Sequence, residues 1–75
     1  MGEQQLISRL GELNGVIEHY CEHIMVLNGI IGQVSVNKVL ITPRIVELHK
    51  IRLEELKRQR YEIEQELIET LTEEV

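Results

Sequence analysis

The chain contains no phenylalanine, no tryptophan, one proline (Pro43) and one cysteine (Cys21). Each scarcity excludes something. A single cysteine cannot close an internal disulfide, so no disulfide framework holds this fold, and the lone thiol fits a reducing cytosol. Tyr20 and Tyr61 are the only aromatic residues. That leaves no platform on which successive nucleobases would stack. Any core must therefore be built from isoleucine, leucine and valine, whose branched side chains interlock well between helices. Long apolar runs are also missing. The most apolar stretch, Ile24 to Ile31, is too short to span a bilayer and contains Asn28 and Gly29. The first residues carry no basic n-region, so no secretory leader is expected. The reading is a cytoplasmic protein that does not engage membranes.

What is present is 43% hydrophobic residues in a 75-residue chain. That is too much for a disordered tail and enough for one small domain spanning residues 1–75. A core of this size is marginal by itself. Without disulfides, oligomerisation is the expected remedy. The net charge of −5 disfavours general binding to a phosphate backbone.

The first half carries an unbroken a/d heptad. Leu10, Ile17, Ile24 and Ile31 fall at a; Leu6, Leu13, Tyr20, Leu27 and Val34 fall at d. Ile7 and Cys21 at e, with Val16 and Ile30 at g, widen the stripe beyond a two-stranded seam. That width suits a helix with two neighbours, as in a four-helix bundle. Asn14 and Asn28 share the e edge, where they read as solvated residues or as register-setting polar contacts. Gly11, Gly15, Gly29 and Gly32 lie opposite the seam, and each costs about 1 kcal/mol relative to alanine inside a helix. Gly29 and Gly32 suggest where the helix stops. Gly11 and Gly15 are explained either by local weakness or by the close approach of a second backbone.

Residues 33–42 break the pattern. Their valines and Ile41 favour extended backbone, and Asn37-Lys38 suits a turn. A tiny hairpin or an apolar loop capping the bundle end is expected. Thr42-Pro43 is a strong helix start, with Thr42 as N-cap and Pro43 at the first helical position. The second helix then runs over 43–73, with Leu53, Leu56, Ile63, Leu67 and Leu71 as its stripe. Its seam passes through His49 and Arg60. Ile45, Leu48, Ile51 and Ile68 add apolar area outside it. Basic residues crowd its first half and glutamates its second. Two such helices paired in reverse would match basic halves with acidic halves, which suits a C2 homodimer.

The expected architecture is thus all-α. It is a two-helix antiparallel hairpin, with helix 1 near 3–32 and helix 2 near 43–73, assembling as a homodimeric four-helix bundle. The oligomer interface is assigned to Leu6, Leu10, Leu13, Ile17, Tyr20, Ile24, Leu27, Ile31, Leu53, Leu56, Ile63 and Leu67.

Chemistry-bearing constellations are sparse. His19 and His23 stand at i, i+4, the spacing of a helical zinc pair. The intervening glutamate is out of place for a metalloprotease motif, and a third ligand would have to be His49 or a residue of a second copy. The bland reading, two polar residues near a bundle surface, is preferred, and no metal or cofactor is assigned. Cys21 does not face either histidine two residues away, so it reads as a small packing residue rather than a nucleophile. No catalytic group set converges, and no enzyme is expected. The expected function is a small non-enzymatic protein–protein interaction module: a regulator, adaptor or inhibitor. The alternative is nucleic-acid binding through the basic half of helix 2. Candidate contacts for a partner or nucleic acid are Val36, Leu40, Lys50, Arg52, Lys57 and Arg58.

Overall fold

The computed structural model describes residues 2–73. It contains α1 (Glu3–Gly29) and α2 (Pro43–Glu73), packed against each other as an antiparallel hairpin. The start of α2 follows from its sequence. Pro43 occupies the first helical position, where its missing N–H is no loss, and Thr42 Oγ1 accepts a hydrogen bond from the Ile45 N–H at 3.4 Å. α1 begins after Gly2 without a side-chain cap.

α1 ends at Gly29, short of the expected residue 32. The Ile30 N–H bonds back to the Leu27 carbonyl at 3.1 Å, and Gly32 takes a positive φ of 88°. A residue without a side chain adopts that left-handed backbone at no steric cost, so the chain turns there. The shortened helix corrects one core assignment. Ile31 continues the heptad in sequence but lies beyond the helix, and it is 42% exposed. Once the 3.6-residue period stops, seam spacing no longer sets which way a side chain faces.

The connector folds into a miniature β-hairpin around a single antiparallel bridge, Val34 to Leu40. The Gly32 N–H donates to the Ile41 carbonyl at 2.8 Å, and the Ile41 N–H donates to the Gln33 carbonyl at 2.9 Å. At the tip, the Lys38 N–H closes a turn on the Ser35 carbonyl, and the Ser35 N–H bonds to the Val39 carbonyl. Lys38 sits at φ 62°, the position in three-residue hairpin loops where glycine or asparagine is usual. Ser35 Oγ supports the tip by accepting from the Val39 N–H at 3.2 Å.

The core runs along the hairpin and closes at the connector. Ile17, Ile24 and Leu27 of α1 pack with Val46, Leu53 and Leu56 of α2, and Ile41 folds in from the connector. Ile41 and Val46 were not among the expected core residues, yet both are buried. Ile41 anchors the connector, and Val46 lies two helical turns before Leu53 on the same face. Leu6 and Ile63 are buried towards the open end, with Leu10, Leu13, Tyr20 and Leu67 half-buried along the seam. At the middle of the seam, Arg60 donates to Asn14 Oδ1 at 3.3 Å. This exposed polar contact links the two helices, while Asn14 itself stays in solvent at the edge of the seam.

The two helices leave the molecule elongated, with extents of 55 × 17 × 16 Å and a radius of gyration of 16.8 Å. A compact domain of this length has a radius near 11 Å. The exposed area is 5748 Å², against about 4,800 Å² for a compact protein of this mass. The hairpin therefore leaves more surface in water than a globular monomer does.

Candidate functional site

Three surface features carry the residues singled out from sequence. The first is an apolar cap at the connector end. Val36 is fully exposed, at 100%. Val34, Val39 and Leu40 of the connector, Met25 and Val26 in the last turns of α1, and Leu48 near the start of α2 are exposed as well. The cause is local. Alternation along a short hairpin sends side chains to both faces, and only Ile41 reaches the core. Of the remaining valines, Val36 is wholly in solvent and Val34 and Val39 are partly covered. Single exposed apolar residues are ordinary; here several stand near the same end of the molecule.

The second feature is the basic half of α2. Several of its charges already have partners. Arg52 bonds to Glu55 Oε2 at 3.0 Å, Lys57 lies 3.9 Å from Glu54, and Arg60 lies 4.0 Å from Glu64. Glu55 and then the Tyr20 hydroxyl raise the Arg52 pKa still further above its ordinary value, so this guanidinium carries its charge at every accessible pH. Lys50 and Arg58 are exposed. Pairs this open to water contribute little to stability. An acidic residue stands beside each of the three paired bases.

The third feature was only partly visible in sequence. His49, from the second turn of α2, comes beside the α1 pair His19 and His23. Ring centroids are 6.1 Å apart for His19 and His23, with the planes nearly stacked, and 5.2 Å for His23 and His49. Tyr20 stands 6.1 Å from His49. The four side chains line a cleft of about 170 Å³. His49 Nδ1 donates to the Ile45 carbonyl at 2.8 Å, which fixes the orientation of the ring. Among the described residues, no group of three or more histidine, cysteine, aspartate or glutamate side chains stands where it could hold a metal ion. Cys21 lies away from these histidines and packs, half-buried, against the core.

The glycine question has an answer within the chain. A Cβ added at Gly11 or Gly15 meets nothing within 4 Å, so no backbone of this chain approaches that face. Among the described residues, no helix is long and apolar enough to cross a membrane. Comparison with protein-family models, with curated proteins and with solved structures finds no match to this chain.

Proposed function

We propose that this chain is one half of a homodimeric four-helix bundle and serves as a non-enzymatic protein–protein interaction module, docking a different protein on the apolar cap. The observation that carries the reading is the cap itself, with Val36 wholly in solvent at the end of an elongated two-helix hairpin.

Two physical arguments support the division of labour. The elongated hairpin exposes roughly a fifth more surface than a compact chain of its mass, and a second hairpin laid along it covers part of that excess. The charge asymmetry of α2, basic first and acidic later, favours an antiparallel mate. Two 55 Å hairpins laid side by side in reverse carry their caps to opposite ends. Neither cap is then covered by the other copy, so the apolar end is left for a different partner. The module becomes bivalent, with one docking cap at each end of a stiff rod.

The test separates cap from charge. A display library of genomic fragments, selected on the full chain, supplies a binding peptide or domain. In the Val36→Ser/Leu40→Ser variant, its affinity falls by about tenfold or more, the loss expected when central apolar contacts are removed. Helical content and solution mass stay unchanged, because neither side chain belongs to the core. Charge reversal at Arg52 and Lys57 leaves the affinity within about twofold. The opposite pattern, loss on charge reversal and indifference to the cap variant, contradicts the proposal and favours a polyanionic ligand held by α2.

A further inference from the structure

The two broad sides of the hairpin differ. Asn14 and Val16 are two residues apart, about 200° around a helix, so they flank the seam from opposite sides. On the Asn14 side, Arg60 reaches across the seam. On the Val16 side the seam stays open as a succession of hollows. Val16 and Gln59 line one of about 210 Å³, together with Leu13 and Ile63. Further along, His19, Tyr20, His23 and His49 line the cleft of about 170 Å³, and Tyr20 and His49 continue into a third hollow beside Arg52.

The open side carries two rows of exposed residues at heptad spacing. Glu12, Val16, His19 and His23 form the row on α1; Arg52, Glu55, Gln59 and Glu62 form the row on α2. Each row is symmetric about its own midpoint, so its reversed copy falls in register with it. Glu12 then stands opposite the second copy's His23, and Val16 opposite its His19. On α2, Arg52 meets the second copy's Glu62, and Glu55 meets its Gln59. No like charges meet in either row. Both midpoints lie at one level of the hairpin, because Val16 shares a hollow with Gln59 and Tyr20 shares one with Arg52. A single two-fold axis therefore serves both helices, as an interface between identical surfaces requires. Extents of 55 × 17 Å give this side an area of roughly 900 Å², against the ~800 Å² per partner of a stable interface.

We propose that the open side is the face on which a second copy sits in reverse, α1 against α1 and α2 against α2. The assignment rests on the homodimer reading above and adds to it the face and the register. A surface that matches its own reverse on both helices selects a second copy over an unrelated protein. The histidine cleft is then completed across the interface: the second copy's Val16 covers His19, and its Glu12 reaches His23.

The experiment is disulfide trapping in the full chain carrying Cys21→Ala. Chains bearing Glu12→Cys and chains bearing His23→Cys are mixed in equal amounts and mildly oxidised. The mixed disulfide exceeds either self-disulfide by at least about tenfold. A bridge needs Cα atoms within about 7 Å, and identical positions lie about 16 Å apart along reversed helices. As the control for the other side, an Asn14→Cys/Cys21→Ala chain mixed with the parent gives no bridge to Cys21. Glu12, His23 and Asn14 are all exposed, so the variants keep their fold, which circular dichroism verifies. In a second measurement, His23→Glu weakens self-association by at least about tenfold by setting like charges opposite each other. Mixing it with the Glu12→Lys chain restores association. A dimeric parent without the mixed disulfide, or with the Asn14-side bridge in its place, overturns the face and register alone. Self-association unchanged by His23→Glu does the same. A parent that stays at 8.8 kDa at every concentration overturns the homodimer reading and this assignment with it.

Discussion

Replacing Leu56 with alanine largely unfolds the chain at micromolar concentration, whereas the same replacement at Leu71 is nearly silent. Leu56 is 5% exposed at the centre of the helix–helix core, and Leu71 is 43% exposed at the far end of α2. Truncating a buried leucine costs about 2–5 kcal/mol, from lost burial and from the cavity that remains. A single core in a chain of this size supplies only about 3–5 kcal/mol. The loss at Leu56 is therefore comparable with the whole stability of one hairpin, while at Leu71 it stays below about 1 kcal/mol. Urea titration followed at 222 nm measures both. Equal costs at the two positions would mean that the core does not lie where the helices meet. A cooperative Leu56→Ala variant of nearly full stability would mean the same.

The second large effect has the opposite sign. Gly11→Ala and Gly15→Ala together raise stability by about 2 kcal/mol, because each removes a helix-weakening glycine from the interior of α1. The open space around both positions lets the methyl groups enter without a clash. For a domain of this size, the gain raises the melting temperature by roughly 8–16 °C. The measurement is a thermal melt of the double variant beside the parent at two concentrations ten times apart. A lower midpoint, or a weakened assembly, would place another copy's backbone against that face. The bundle would then be built on the glycine side of α1.

The sequence foretold some parts of the fold far better than others. α2 was legible from end to end because its first turn is signalled by residues with one purpose: Thr42 accepts a hydrogen bond and Pro43 needs none. The heptad located Leu6, Ile17, Ile24 and Leu27 in the core for as long as the helix lasted. It misled at Ile31, because spacing alone does not show where a helix ends; the stop is set by Gly32 taking a left-handed backbone. The connector reads in sequence as a tiny hairpin or an apolar capping loop, but hydrophobicity does not tell which of its residues turns inward; it is Ile41. That choice follows from the bridge between Val34 and Leu40 and the paired bonds at Gly32 and Ile41.

The candidate sites divide in the same way. Val36 and Leu40 stand out in the sequence as apolar residues of the connector, and both are exposed, but hydrophobicity alone does not separate them from Ile41, which is buried. The histidine cleft was half legible. The i, i+4 pair is written in the sequence, and His49 was already the named third partner. Its meeting with His23 depends on the register in which the two helices pack against each other. No local pattern encodes that register. The interhelical seam carries a similar lesson. The residues assigned to an oligomer interface largely pack between the chain's own two helices, so the sequence stripe is explained within one chain.

Association is the claim on which the rest of the account depends, because a lone hairpin with this little core and this much surface has little stability to spare. The most direct test is sedimentation equilibrium across a hundredfold range of concentration, with helicity recorded on the same samples. The account predicts a mass of twice the 8.8 kDa chain, with helical content falling as dilution drives the dimer apart. A mass of 8.8 kDa at every concentration, with helicity undiminished and a cooperative melt, would contradict it and leave the hairpin a self-sufficient monomer.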